Sequence, residues 1–251
     1  MTSTSAHQKF SGLLMVIGSL VFVYGGAFHP RINTSLGALG SPEFFQNFYM
    51  HIAHHRSWEF IHGLILAGPL LWLMGAGSFW SDRNGWTRMA TTAMTLAATA
   101  WAVTFVFDGF VAPNIVRRLT PETGWYALSA NQDVVIRMGL VSWLMLWFSM
   151  MAGGIGTLVS SRSRGAKVLA WTGILLGVWP LIAWATGAFL PGPFTSRYWN
   201  ATAVSTAFWF LVVGVFLLVS APPQNGVEPA GEPSTGARGP THSVFQSKSR
   251  P

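Results

Sequence analysis

Five of the seven histidines of this chain, His29, His51, His54, His55 and His62, fall within one stretch, and Glu59 lies among them. Imidazoles and carboxylates at helical spacings hold iron, copper or zinc, and they also move protons. His51 and His55 are four residues apart, so on a helix they share a face and can grip one ion. Glu59 and His62 are three apart, the Glu-x-x-His spacing by which helical bundles turn a carboxylate and an imidazole inward. His51, His55, His62 and Glu59 are therefore candidate metal ligands, and His29 with His62 candidate cofactor-binding residues. Asp108 is the other acid inside an apolar run, and Arg137 follows at the start of the next one. Glu59, Asp108 and Arg137 are the candidate catalytic residues. An Asp108 without a basic partner would serve as a proton donor, whereas an Asp108–Arg137 pair would be structural. Glu59 has a structural alternative as a first-turn acid, and His62 as a histidine bonded to a neighbouring carbonyl.

The elements that must position these groups are membrane helices. The mean hydropathy is +0.41, 51% of the residues are hydrophobic and 9% charged, and crossing a bilayer takes about 20 apolar residues. Six runs qualify: Phe10 to Phe28, Trp58 to Trp80, Met89 to Phe110, Val134 to Ser160, Val168 to Leu190, and Ala201 to Ser220. The expected fold is all-α, a six-helix transmembrane bundle over residues 1–220. Spanning strands are excluded because the runs are continuous instead of alternating. The first run is read as a helix and not a signal peptide, since His29-Pro30-Arg31 is no small-residue cleavage site. The absence of cysteine removes disulfides, thiolate ligands and thiol nucleophiles.

Of the 15 Lys and Arg, nine fall on the N-terminal side of the expected bundle and six on the other. Loops rich in Lys and Arg stay cytoplasmic, so both termini are expected inside an integral cell-membrane protein, with the long loops outside. The formal charge of +7 is topological and does not point to nucleic acid. Two outward connections are long, about 28 and about 23 residues, where a handful is usual. The first contains a helix signal: Ser41 as cap, Pro42 at the first position, Glu43 in the first turn. Phe44, Phe45, Phe48, Tyr49 and Ile52 make one apolar arc, which predicts an interfacial amphipathic helix lying along the membrane surface. His29, His51, His55, Glu59, His62, Asp108 and Arg137 thus share one outer level. The tail over residues 221–251, rich in Pro, Gly and Ser, is expected to be disordered and cytoplasmic.

His51-x-x-His54-His55 resembles the second histidine box of the membrane fatty-acid desaturase and hydroxylase family, which uses a di-iron centre. That pattern needs further boxes, normally eight histidines facing the cytoplasm, and this chain adds only His29 and His62 in its folded part. Trp58-Glu59-Phe60 with Phe107-Asp108 is similar to the acidic positions of fungal membrane-embedded terpene cyclases over a handful of residues. Neither likeness assigns a family. Three functions stay open. One is an oxidoreductase dependent on iron, copper, zinc or haem and acting on a lipophilic small molecule. Another is a cofactor-free cyclase or isomerase using Glu59 or Asp108 as the acid, and the last a non-catalytic accessory subunit or small-ligand binder. The bilayer is the expected partner, and a homo-oligomer or a larger membrane complex is compatible with all three.

Overall fold

In a computed structural model, residues 4–30, 41–80, 84–185 and 195–220 are described. The expected disordered tail, residues 81–83, Arg31 and the end of the fifth expected span lie outside the described residues. The described residues are helical, with no strand among them: α1 (Thr4–Phe28), α2 (Pro42–His54), α3 (Trp58–Phe79), α4 (Gly85–Val106), a π-helical turn (Phe107–Val111), α5 (Ala112–Arg118), α6 (Pro121–Ser160), α7 (Arg164–Ala185) and α8 (Thr195–Ser220). Six helical segments are long and apolar enough to cross a bilayer, including α4 to α5 as one run and α6. This is an integral membrane protein by length and composition.

Packing runs around a ring. The most extensive pairings are α4 with α6, α1 with α3, α6 with α7 and α1 with α8, and α3 with α4 joins the two halves. Trp72, Trp80, Trp147, Trp209 and Phe210 fill the centre. Lipid supplies no hydrophobic drive between helices, so the contacts rest on close approach at small residues. A Cβ on Gly18 would sit 2.8 Å from the Gly68 carbonyl oxygen, and one on Gly12 would sit 2.6 Å from that of Gly214. Indole N–H groups inside the bundle reach backbone acceptors: Trp101 donates to Ile65 O at 3.1 Å and Trp209 to Leu169 O at 3.1 Å. Asn84 caps α4 through Thr87 and also donates to Gly156 O at 2.9 Å, tying α4 to α6.

Two expectations change at the end of the bundle that carries the histidines. The predicted loop after the third span is helical almost throughout, because Thr120, Pro121 and Glu122 supply an N-cap, a first-position proline and a first-turn acid. The resulting α6 has 40 residues; at about 1.5 Å per residue it is roughly twice as long as a bilayer core is thick. Its projecting end gives α2 a protein surface to rest on. The predicted apolar arc of Phe44, Phe45, Phe48, Tyr49 and Ile52 is all buried, in a small core shared with Trp58, Ala112 and Leu128. The helix is amphipathic as read, but its apolar face meets protein. Tyr49 Oη lies 2.7 Å from Val116 O and 2.6 Å from Leu119 O, which pins α2 to the end of α5.

Gly153 on α6 faces the Trp80 indole, and a Cβ there would overlap the ring. Gly153→Val should lower stability in detergent by about 1–3 kcal/mol, read as a lower unfolding midpoint, because neither the indole nor the helix can yield without losing packing. An unchanged midpoint would show that the α6 crossing is looser than described.

Candidate metal centre

The end of α1, the start of α3 and the π-helical turn bring three groups together. His29 Nε2 is 3.1 Å from His62 Nε2, and His62 Nε2 is 3.1 Å from Asp108 Oδ2. One ligand atom from each of the three lies within 4.8 Å of the others. His62 is fully buried, and Asp108 keeps 16% of its side chain exposed.

Each group reaches this meeting point for a local reason. Pro30 follows His29 and ends the helical run of α1 there. His62 sits one turn into α3, and its Nδ1 donates to the Trp58 carbonyl at 2.7 Å, since a carbonyl can only accept. The π-helical turn holds one residue more than an α-helical turn and re-aims what it carries; here that is Asp108. Its backbone carbonyls find partners: Trp58 Nε1 donates to Asp108 O at 2.8 Å and Asn131 Nδ2 to Phe107 O at 3.2 Å. Gly109 is buried against His62, and a Cβ on it would come 2.5 Å from the His62 Cβ. Only glycine lets the two backbones approach this closely.

His29 Nε2, His62 Nε2 and Asp108 Oδ2 face one another. His62 Nδ1 donates to Trp58 O, and His29 hydrogen-bonds the backbone of Pro30, which offers only a carbonyl. Asp108 Oδ1 accepts from Gln132 Nε2 at 3.0 Å, leaving Oδ2 for His62. Two ligands held about 2.1 Å from one ion, at right or tetrahedral angles, stand about 3.0–3.4 Å apart. The His29–His62 and His62–Asp108 edges fall in that interval, and the third edge is within 4.8 Å. The donor set of two imidazoles and one carboxylate, each oriented by an outer partner, is suited to iron, zinc or manganese. A bis-histidine haem does not fit, because axial nitrogens on opposite faces of the ring stand about 4 Å apart with the porphyrin between them.

The other sequence candidates lie elsewhere. Glu59 forms an ion pair with Arg117 at the surface and points away from the cluster. Arg137 pairs with Asp133 on the exposed face of α6 at 3.4 Å, so Asp108 is served by His62 and Gln132 instead of by Arg137. The His51 and His55 rings do meet, tilted by 48° with centroids 4.2 Å apart, and His55 Nδ1 donates to His51 O at 2.7 Å. They stand on the other side of Trp58, whose ring lies 6.0 Å and 6.4 Å from theirs and stacks on His62 at 4.5 Å. His54 turns back to Met50 O. Trp58, Gly109, Asn131 and Gln132 were not singled out by sequence. The polar run Asn131-Gln132-Asp133 at the edge of an apolar stretch was the available signal. Compared with protein-family profiles, curated proteins and solved structures, the chain matches none.

Burial, with the neighbouring His62 next, pushes the His29 pKa down from 6.5 to about 4. A folded-state value below the unfolded one means that the unfolded chain binds more protons between these limits. The contribution to stability is complete above about pH 6.5 and is lost as pH falls toward 4, with a ceiling of about 3 kcal/mol. In histidine NMR of the metal-free protein, His29 should stay neutral down to about pH 5 while the thermal midpoint falls over the same range. Protonation of His29 with a midpoint above pH 6 would contradict the burial described.

Proposed function

We propose that His29, His62 and Asp108 bind one divalent transition-metal ion, and that the protein is a metal-dependent membrane oxidoreductase acting on a lipophilic substrate. The observation that carries this reading is the convergence of His29 Nε2, His62 Nε2 and Asp108 Oδ2, while the other polar atom of His62 and of Asp108 is already engaged by Trp58 O and Gln132. A buried acceptor facing another acceptor is costly, and a cation among them removes the cost. A facial set of two histidines and one carboxylate leaves coordination positions free for dioxygen or substrate, which is the arrangement of non-haem iron oxygenases. Bound iron would supply the redox chemistry; the chain's own residues orient it and exclude water.

The acid-catalysis alternative is disfavoured by the partners of its acids. Glu59 is bound to Arg117, and Asp108 is held between His62 and Gln132. Neither is an isolated carboxyl of the kind that protonates a double bond.

Protein purified in detergent and reconstituted anaerobically with iron(II), zinc(II) or manganese(II) should take up one ion per chain. His29→Ala, His62→Ala and Asp108→Ala should each abolish stoichiometric uptake, whereas Glu59→Gln and His51→Ala should retain it. Gln132→Leu and Gly109→Ala should weaken it by about 10–100-fold, since they disturb the orientation of the ligands alone. Full uptake by the Asp108→Ala and His62→Ala variants would sink the site, and tight binding of zinc with no dioxygen-dependent oxidation in the iron form would redirect the chemistry to hydrolysis.

The charge bias further supports the N-terminus and the Arg162 turn lying in the cytoplasm, with the cluster on the outer side. Cysteines placed at Tyr126, which is 69% exposed, and at Arg162 test this in a chain without native cysteine. Tyr126→Cys should react with an impermeant maleimide in intact cells and Arg162→Cys should not. The opposite pattern would invert the protein and put the cluster in the cytoplasm.

A further inference from the structure

On the far side of Trp58 from the metal cluster lies an open cleft of about 310 Å³, lined by Arg56, Arg117, Glu59 and Trp58 with Ile52 and Val116 among its apolar walls. Its charges do not balance. Arg117 has Glu59 as its carboxylate, while Arg56 is exposed and has no ion-pair partner among the described residues. Two guanidinium groups and one carboxylate leave room for a second carboxylate, and an arginine fork matches that group in shape and charge.

Depth and size narrow the class of ligand. Trp58 opens a membrane-spanning segment, so the cleft stands at the level where the head of an amphiphile leaves the bilayer. A volume of about 310 Å³ is at the small end for an organic ligand. That accommodates a carboxylate and the start of one alkyl chain, with the remainder lying along apolar surface toward lipid.

We propose that this cleft binds a single-chain carboxylate amphiphile of the fatty-acid class, with its head on Arg56 and its chain against Ile52 and Val116. The inference deepens the reading given above by naming the substrate class of the oxidoreductase. One indole, that of Trp58, separates the bound head from His62. Glu59 is a competitor in the cleft, since it already occupies Arg117.

The test is equilibrium binding of labelled oleate to the full chain in a neutral maltoside detergent, with oleyl alcohol and inorganic phosphate as separate probes. One oleate per chain is expected, with oleyl alcohol at least tenfold weaker and phosphate alone not retained. Arg56→Gln should weaken oleate at least tenfold, and Glu59→Gln should tighten it, a gain that misfolding cannot produce. Equal binding of the alcohol, retention of phosphate alone, or indifference to Arg56→Gln would each overturn the proposal. Binding is measured with and without iron(II), so loss of the metal reading and loss of the cleft reading are separate results. Oleate bound without metal uptake would keep the cleft and remove the oxidoreductase, and metal uptake without oleate would do the reverse.

Discussion

The His62 Nδ1 proton goes to the Trp58 carbonyl 2.7 Å away, one turn back on the same helix, and this bond decides what the surroundings must contain. With that proton committed, the buried Nε2 presents a lone pair, and the two groups packed against it at 3.1 Å are another imidazole and a carboxylate. The arrangement is repulsive unless a positive charge sits among the three. Burial, with His62 beside it, lowers the His29 pKa to about 4. A metal ion satisfies all three groups at once.

The fold supplies this meeting point through defects in otherwise regular helices. Pro30 ends one helical run, the π-helical turn inserts a residue into another, and Gly109 removes the side chain that would hold the two apart. A π-helical turn disturbs the backbone pairing of its helix, and polar groups on α6 and α3 stabilise it. Asn131 and Trp58 donate to carbonyls of the turn, and Gln132 donates to the Asp108 carboxylate itself. This explains why α6 is so much longer than a bilayer requires. Its projecting end carries both Asn131 and Gln132 and forms the surface on which α2 rests.

The six spans and the amphipathic helix were legible because each writes a continuous local pattern, a long apolar run in one case and a capped arc in the other. Ser41 does cap α2, accepting from the Phe44 N–H. The site was legible only by residue type and level. His29, His62 and Asp108 stood among the candidates, yet Glu59 and the His51–His55 pair looked equally good, because spacing along one helix cannot report which face meets a neighbour 46 residues away. Glu59 and His62 share a Glu-x-x-His spacing, but Glu59 is turned to Arg117 on α5, and the carboxylate that reaches His62 comes from a different helix. The π-helical turn has no sequence signature beyond Asp108-Gly109, and its support by Asn131 and Gln132 looked like an ordinary polar loop.

Trp58 connects the two polar groupings at this end of the bundle. Its indole nitrogen holds the π-helical turn, its carbonyl fixes the His62 tautomer, its ring stacks on His62, and it also lines the cleft with Arg56 and Arg117. A residue with so many fixed contacts cannot shift without disturbing Asp108 and His62 together. Anything bound in the cleft therefore meets the same indole that stacks on His62 and holds the π-helical turn. The cleft is open while the cluster is nearly buried, and the Trp58 ring lies against both. Under the oxidoreductase reading proposed above, that burial would shield the metal from bulk water.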